Sequence, residues 1–147
     1  MAEYFRFVRF AIIWLVVFLI GRLVLGAFDV AYAQGTHVFS MVTFSWFAAL
    51  FFGAFSRRAR SYKWYQGMLV GGTIALSAQV LIFLATVGSY LVGADTYFNH
   101  PTALNVFEPV TLVQAMGIRA FGLVVNTIIT SIIGLIGWSM GHLIPER

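Results

Sequence analysis

The chain has 147 residues, of which 61% are hydrophobic and only 10% charged, with a mean hydropathy of +0.90. A soluble domain carries about 25% charged residues, and its water-facing exterior cannot display so much apolar surface, so the composition excludes a soluble globule and points to an all-α integral membrane protein, a single membrane domain over residues 1–147. Cysteine is absent, which excludes disulfide exchange, thiolate catalysis, iron–sulfur ligation and cysteine–zinc sites, while the formal charge of +4 sits in clusters of the kind that orient membrane proteins and argues for no nucleic acid.

In chain order, Arg6 and Arg9 precede an apolar run that predicts a first span over residues 10–28, interrupted only by Gly21 and Arg22. A basic start, an apolar stretch and Ala31-Tyr32-Ala33 also resemble a secretory signal peptide with its cleavage site. The length of the run and the position of Arg22 favour a retained span. Residues 29–37 form a short polar loop with Asp29, Gln34, Gly35 and His37 and no Lys or Arg. A second, Phe-rich span is predicted over 38–55. Residues 56–66 then hold Arg57, Arg58, Arg60 and Lys63, four of the nine basic residues, and read as a cytoplasmic turn that also contacts anionic lipid.

The third span, 67–92, would be ~39 Å long at ~1.5 Å per residue, more than the ~30 Å hydrocarbon core, and so must tilt or project. Residues 93–119 are the long outer loop. Its first part is turn-like, and its second, from Pro109 to Arg119, has Val110, Val113 and Met116 at helical spacing, as an interfacial helix or an outward extension of the next one. The fourth span is predicted over 120–143, closed by Pro145. Arg6, Arg9, Arg57, Arg58, Arg60, Lys63 and Arg147 then share one side, leaving Arg22 and Arg119. The expectation is a four-transmembrane-helix bundle of two helical hairpins with both termini cytoplasmic, as in a bacterial inner membrane.

Small residues mark close helix contacts in lipid. The second span carries Ser45, Ala49 and Gly53, the third Gly67, Gly71, Ala75 and Gln79, the fourth Asn126, Thr130 and Gly134 with Gly137 and Gly141 nearby. Counting ~1.5 Å per residue from each interface puts Arg22, Ser45, Gln79 and Asn126 in one polar intramembrane layer toward the outside. Groups at that depth face protein or a cavity. The layer reads either as an outward-open pocket with Arg22 as a cationic ligand, or as a hydrogen-bonded clamp with Arg22 reaching up to lipid phosphate or Asp29.

The remaining chemistry is sparse. No catalytic, phosphate-loop or zinc-hydrolase motif occurs, so no enzyme activity is expected. The spans hold no Asp or Glu, which argues against proton-coupled transport. His37 and His142 fall at opposite ends, so haem is disfavoured, and His37, His100 and the acidic residues lack metal-ligand spacing. Trp14, Trp46 and the many Phe pack lipid, with bound lipid, quinone or pigment the only cofactor class left open. The first expectation is a non-catalytic accessory or structural subunit of a larger respiratory, photosynthetic or transport complex, or a homo-oligomer, whose partners are membrane lipids and other membrane subunits. The alternatives are a small anion or solute permease around Arg22, Gln79 and Asn126, and a lipid- or quinone-binding protein.

Overall fold

A computed structural model describes residues 2–28, 30–35 and 37–143, and every regular element among them is helical. Asp29, Pro145 and Arg147, which entered the sequence reading as a partner for Arg22, a helix stop and a cytoplasmic charge, lie outside the described residues. The elements are α1 (Ala2–Phe7), α2 (Arg9–Ala27), the single turn α3 (Tyr32–Gly35), α4 (Met41–Arg60), α5 (Trp64–Val92) and α6 (Leu112–Met140). A 3-10 turn at Pro101–Leu104 interrupts the long loop, and another at Gly141–Leu143 extends α6. Among the described residues, three helical segments are long and apolar enough to cross a membrane: α2, α5, and α6 with its extension, Leu112–Leu143. α4 has 20 residues, but its last turn holds Arg57, Arg58 and Arg60.

The helix ends differ from the expected ones for local reasons. α4 continues through the first half of 56–66, because basic side chains in a last turn complement the negative end of the helix dipole. It stops at Ser61, which adopts the left-handed conformation with φ 53°. The connection to α5 is therefore only residues 61–63, and the backbone N–H of Lys63 donates to Gln66 Oε1 at 2.8 Å as α5 begins. α6 starts at Leu112 rather than near 120. Thr111 and Gln114 form a reciprocal capping box, with Gln114 N donating to Thr111 Oγ1 at 3.4 Å and Thr111 N donating to Gln114 Oε1 at 2.9 Å. Such a box satisfies two N–H groups that a helix start leaves open. At ~1.5 Å per residue α6 is ~44 Å long, so its loop end stands above any ~30 Å core.

α4, α5 and α6 form the tightly packed part of the bundle, and glycine makes that possible. A Cβ on Gly134 would lie 2.6 Å from the Gly67 carbonyl oxygen and 3.0 Å from Gly71 Cα. One on Gly141 would lie 2.7 Å from the Ala54 carbonyl oxygen, and one on Gly67 would meet Trp138 Cβ at 2.6 Å. Gly53 faces the backbone of Gly134, Gly71 that of Thr130, and Gly137 that of Leu50. Ala49 and Ala75 are fully buried in the same seams. The small-residue faces of the three helices thus meet one another inside this chain. α2 is peripheral: of its 19 residues only Ala11 and Leu15 are buried, against Val70, Ile74, Ala78 and Met41 of the common core.

Large apolar side chains point outward all round, among them Phe10, Trp14 and Ile20 on α2, Trp46, Phe47 and Phe51 on α4, and Ile128, Ile132 and Ile136 on α6. This is the surface that apolar surroundings require of a helical bundle.

Because backbone atoms leave no room at Gly134, Gly134→Val should destabilise the bundle by about 1–3 kcal/mol, the usual cost of overpacking. Gly88 has nothing within 4 Å of a built Cβ, so Gly88→Ala should be neutral or stabilising by up to about 1 kcal/mol from helix propensity. Unfolding midpoints of the two purified variants in mild detergent check both signs; equal midpoints would show that the seam tolerates a side chain.

Candidate functional site: a two-arginine cavity

The loops 28–40 and 93–111 cap the end of the bundle where α2 and α5 finish and α4 and α6 begin. Local hydrogen bonds shape the second loop. Gly93 closes α5 with φ 67°, and Asn99 then ties the next turn by accepting from Thr96 N at 2.8 Å and donating to the Ala94 carbonyl at 2.9 Å. Asn105, with φ 55°, ends the 3-10 turn. The two loops are joined by Tyr97, whose hydroxyl donates to the carbonyls of Val30 at 2.7 Å and Ala31 at 3.2 Å. Tyr32 and His100 stack with centroids 4.5 Å apart. Phe39 holds a left-handed φ of 52°, unusual for a bulky residue. Its ring lies across Gly21, where a Cβ would come within 2.7 Å, and packs edge-on to Phe18 at 5.5 Å.

Arg119 is the tie-point of this cap. It lies seven residues into α6 and reaches across to three acceptors. Nε donates to Thr86 Oγ1 on α5 at 3.1 Å, one terminal nitrogen donates to the Phe98 carbonyl at 2.6 Å, and the other to the Ala103 carbonyl at 3.4 Å. All three acceptors are neutral. Dipoles therefore solvate the guanidinium charge without cancelling it. Arg22, on α2, places its guanidinium 5.6 Å from the centre of the Tyr97 ring, a cation–π geometry.

Both arginines line one cavity of about 230 Å³. Tyr32, His37 and Ser40 supply its other polar groups, and Val42, Ile82, Phe98 and Ala103 its apolar ones. The two guanidiniums repel each other across it. Arg119, Val42, Ile82 and Ala103 also line a second cavity of about 320 Å³, which Gln79 of α5 and Asn126 of α6 line as well. The two compartments adjoin, sharing these four lining residues. In chemical terms the site offers two forked cations, hydroxyl and imidazole groups, and two carboxamides. Such a set binds an oxyanion by charge-assisted, bidentate hydrogen bonds.

Of the four residues of the expected polar layer, Gln79 and Asn126 come together and Arg22 joins them through the adjoining compartment. Ser45 does not. It is buried, and its hydroxyl donates to the Val42 carbonyl of its own helix at 2.7 Å. Arg119 falls in the segment 109–119, where of the two expectations, an interfacial helix or an outward extension of the fourth span, the extension is what forms; Arg119 was not among the expected site residues. The signal was Thr111-x-x-Gln114, which starts the helix early enough to bring Arg119 into the bundle. His37 lies on the first cavity, His100 caps the 3-10 turn by accepting from Thr102 N at 3.2 Å, and His142 Nδ1 pairs with the Ser139 carbonyl at the far end of α6. Among the described residues no group of three His, Cys, Asp or Glu is placed to hold a metal ion. Trp14 and Trp46 face outward.

The basic cluster lies at the opposite end. Arg57 stacks on Trp138 at 4.5 Å and donates to the Ser139 carbonyl at 3.5 Å, while Arg60 and Lys63 are exposed. Tyr62 organises this end: its hydroxyl donates to Glu3 at 2.5 Å and its carbonyl accepts from Trp138 Nε1 at 2.6 Å, linking α1, the turn and α6.

No protein-family model, curated protein or solved structure matches the chain.

Burial and the bond to the Glu3 carboxylate push the Tyr62 phenol up to about 12 from its ordinary 10. A raised acid favours the protonated folded state, so this stabilisation is complete below pH 10 and is lost as pH rises through about 12. The unfolding midpoint should fall over that alkaline window in the wild type, with a late phenolate absorbance step. Tyr62→Phe should lose the late step and flatten that part of the profile; an unchanged profile would detach Tyr62 from it.

Proposed function

We propose that this chain is a four-span membrane protein that binds an anionic ligand, of the small anion permease or carrier class, in the cavity between Arg22 and Arg119. The observation that carries the reading is that two guanidiniums from different helices line one cavity whose other described lining residues are Tyr32, His37, Ser40 and apolar side chains. Cations brought together at membrane depth are costly, and such residues face a ligand path or cavity. An oxyanion in this cavity accepts charge-assisted hydrogen bonds from guanidinium groups on two helices.

Four spans and their orientation complete the proposal. α4 is ~30 Å long at ~1.5 Å per residue, enough for a ~30 Å hydrocarbon core. Its three terminal arginines then sit at the cytoplasmic surface, and the two-arginine cavity opens outward. The accessory-subunit reading drew on small-residue faces available for partners. Those faces are occupied by one another within the chain, so they supply no argument for a partner surface.

Two measurements test the proposal. With sodium phosphate at about 100 times its dissociation constant, and ionic strength held with chloride, the melting temperature should rise by about 5–10 °C. Arg22→Gln and Arg119→Met should each remove most of that rise, and an equal rise in all three proteins would overturn the reading. For orientation, the natural chain has no cysteine, so single labels are clean. In intact cells a membrane-impermeant maleimide should modify Phe107→Cys, and should modify Ala59→Cys only after permeabilisation. The reverse pattern would invert the site to the cytoplasmic face.

A further inference from the structure

The two compartments differ in chemistry, and the difference specifies more of the ligand than its charge. The first holds the two guanidiniums with Ser40 and His37. The second shares Arg119 and adds the carboxamides of Gln79, Asn105 and Asn126, against an apolar wall of Ile118, Phe121 and Val125. That wall is open. Phe121 is 73% exposed, and from it an exposed apolar track of Val124, Ile128, Ile132 and Ile136 runs along one side of α6. Residues three and four apart stack on the same helix face, so the track is continuous from the mouth of the second compartment. In the four-span arrangement it faces hydrocarbon. A bare inorganic ion uses the first compartment and none of the rest.

We propose that the ligand is an anionic lipid taken laterally from the bilayer. Its charged head lies between Arg22 and Arg119, its polar linkage meets Gln79 and Asn126, and its chain leaves past Phe121 along α6. This rests on the anion-binding reading above and adds the source and shape of the ligand. Gln79 and Asn126 then act as positioning groups for the linkage, which explains carboxamides beside an apolar wall.

Gly122 provides a way to close the lateral mouth. A Cβ there meets nothing nearer than Asn126 Nδ2 at 4.0 Å, so a large side chain can occupy the opening without displacing backbone. The test uses full-length protein in nanodiscs of phosphatidylcholine and phosphatidic acid in equal parts, with retained lipid read by native mass spectrometry and the sodium phosphate melting shift measured in parallel. The wild type should retain one phosphatidic acid per chain. Arg22→Gln should reduce that retention by about tenfold or more, the loss expected for removing a charge-assisted contact. Gly122→Trp should lose the lipid yet still respond to phosphate, and that response shows it is folded. If Gly122→Trp does not respond, Gly122→Leu and the Arg22→Gln comparison decide the question. Phosphatidic acid retained equally by Arg22→Gln or by a phosphate-responsive Gly122→Trp would place the lipid elsewhere and overturn the inference. No retained lipid together with an arginine-dependent phosphate shift would make the ligand a soluble anion, overturning this inference and leaving the anion reading intact. Absence of both responses would remove the anion reading itself.

Discussion

Backbone against backbone at Gly134 is the constraint from which the remaining geometry follows. α5 and α6 touch where the Gly67 carbonyl and Gly71 Cα leave no space for a Cβ on Gly134, and α4 enters the same seam through Gly53. Surfaces this close cannot slide past one another, because any shift by a residue would bring a side chain into a gap that admits only hydrogen. The axial register of the three helices is thereby set. From that register it follows that Gln79 and Asn126, each about two turns from the Gly71–Gly134 contact, line one cavity, and that Arg119 arrives level with Thr86.

Arg119 converts that register into a closed cap. A lysine at the same position has a single ammonium head and could not span the Phe98 and Ala103 carbonyls and the Thr86 hydroxyl as a planar fork does. The fork holds the loop 93–111 down on the bundle, and Tyr97 in turn holds the loop 28–40 through the Val30 and Ala31 carbonyls. The same side chain that closes the cap also faces both cavities. The cap and both cavities therefore depend on one side chain.

The long apolar runs were legible from composition alone, since nothing but a helix satisfies backbone hydrogen bonds through so many apolar residues. The glycine and alanine positions at the seams were legible too, because small residues four apart leave a groove whatever the partner. Which groove meets which is a property of the assembled bundle and has no one-dimensional signature. Helix ends were less legible. Arg57, Arg58 and Arg60 look like a turn by charge, yet a helix terminus welcomes them; Pro109 drew attention away from the capping pair at Thr111 and Gln114. Arg22, Gln79 and Asn126 were found by counting depth. Ser45 has the same depth but spends its hydroxyl on its own helix, a distinction that needs the side-chain direction and not only the height.

The unequal burial of the helices has a consequence for the order in which the molecule comes apart. α4, α5 and α6 share an interlocked interior, whereas α2 is held through Ala11, Leu15 and a few aromatic contacts such as Phe18 against Phe44. Local opening follows the weakest interface, so α2 is the element that separates at the lowest free energy, with the other three still assembled. It carries Arg22. One cation of the pair thus belongs to the interlocked block and the other to the helix held by the smaller interface, so the spacing between the two charges depends on how firmly α2 stays docked.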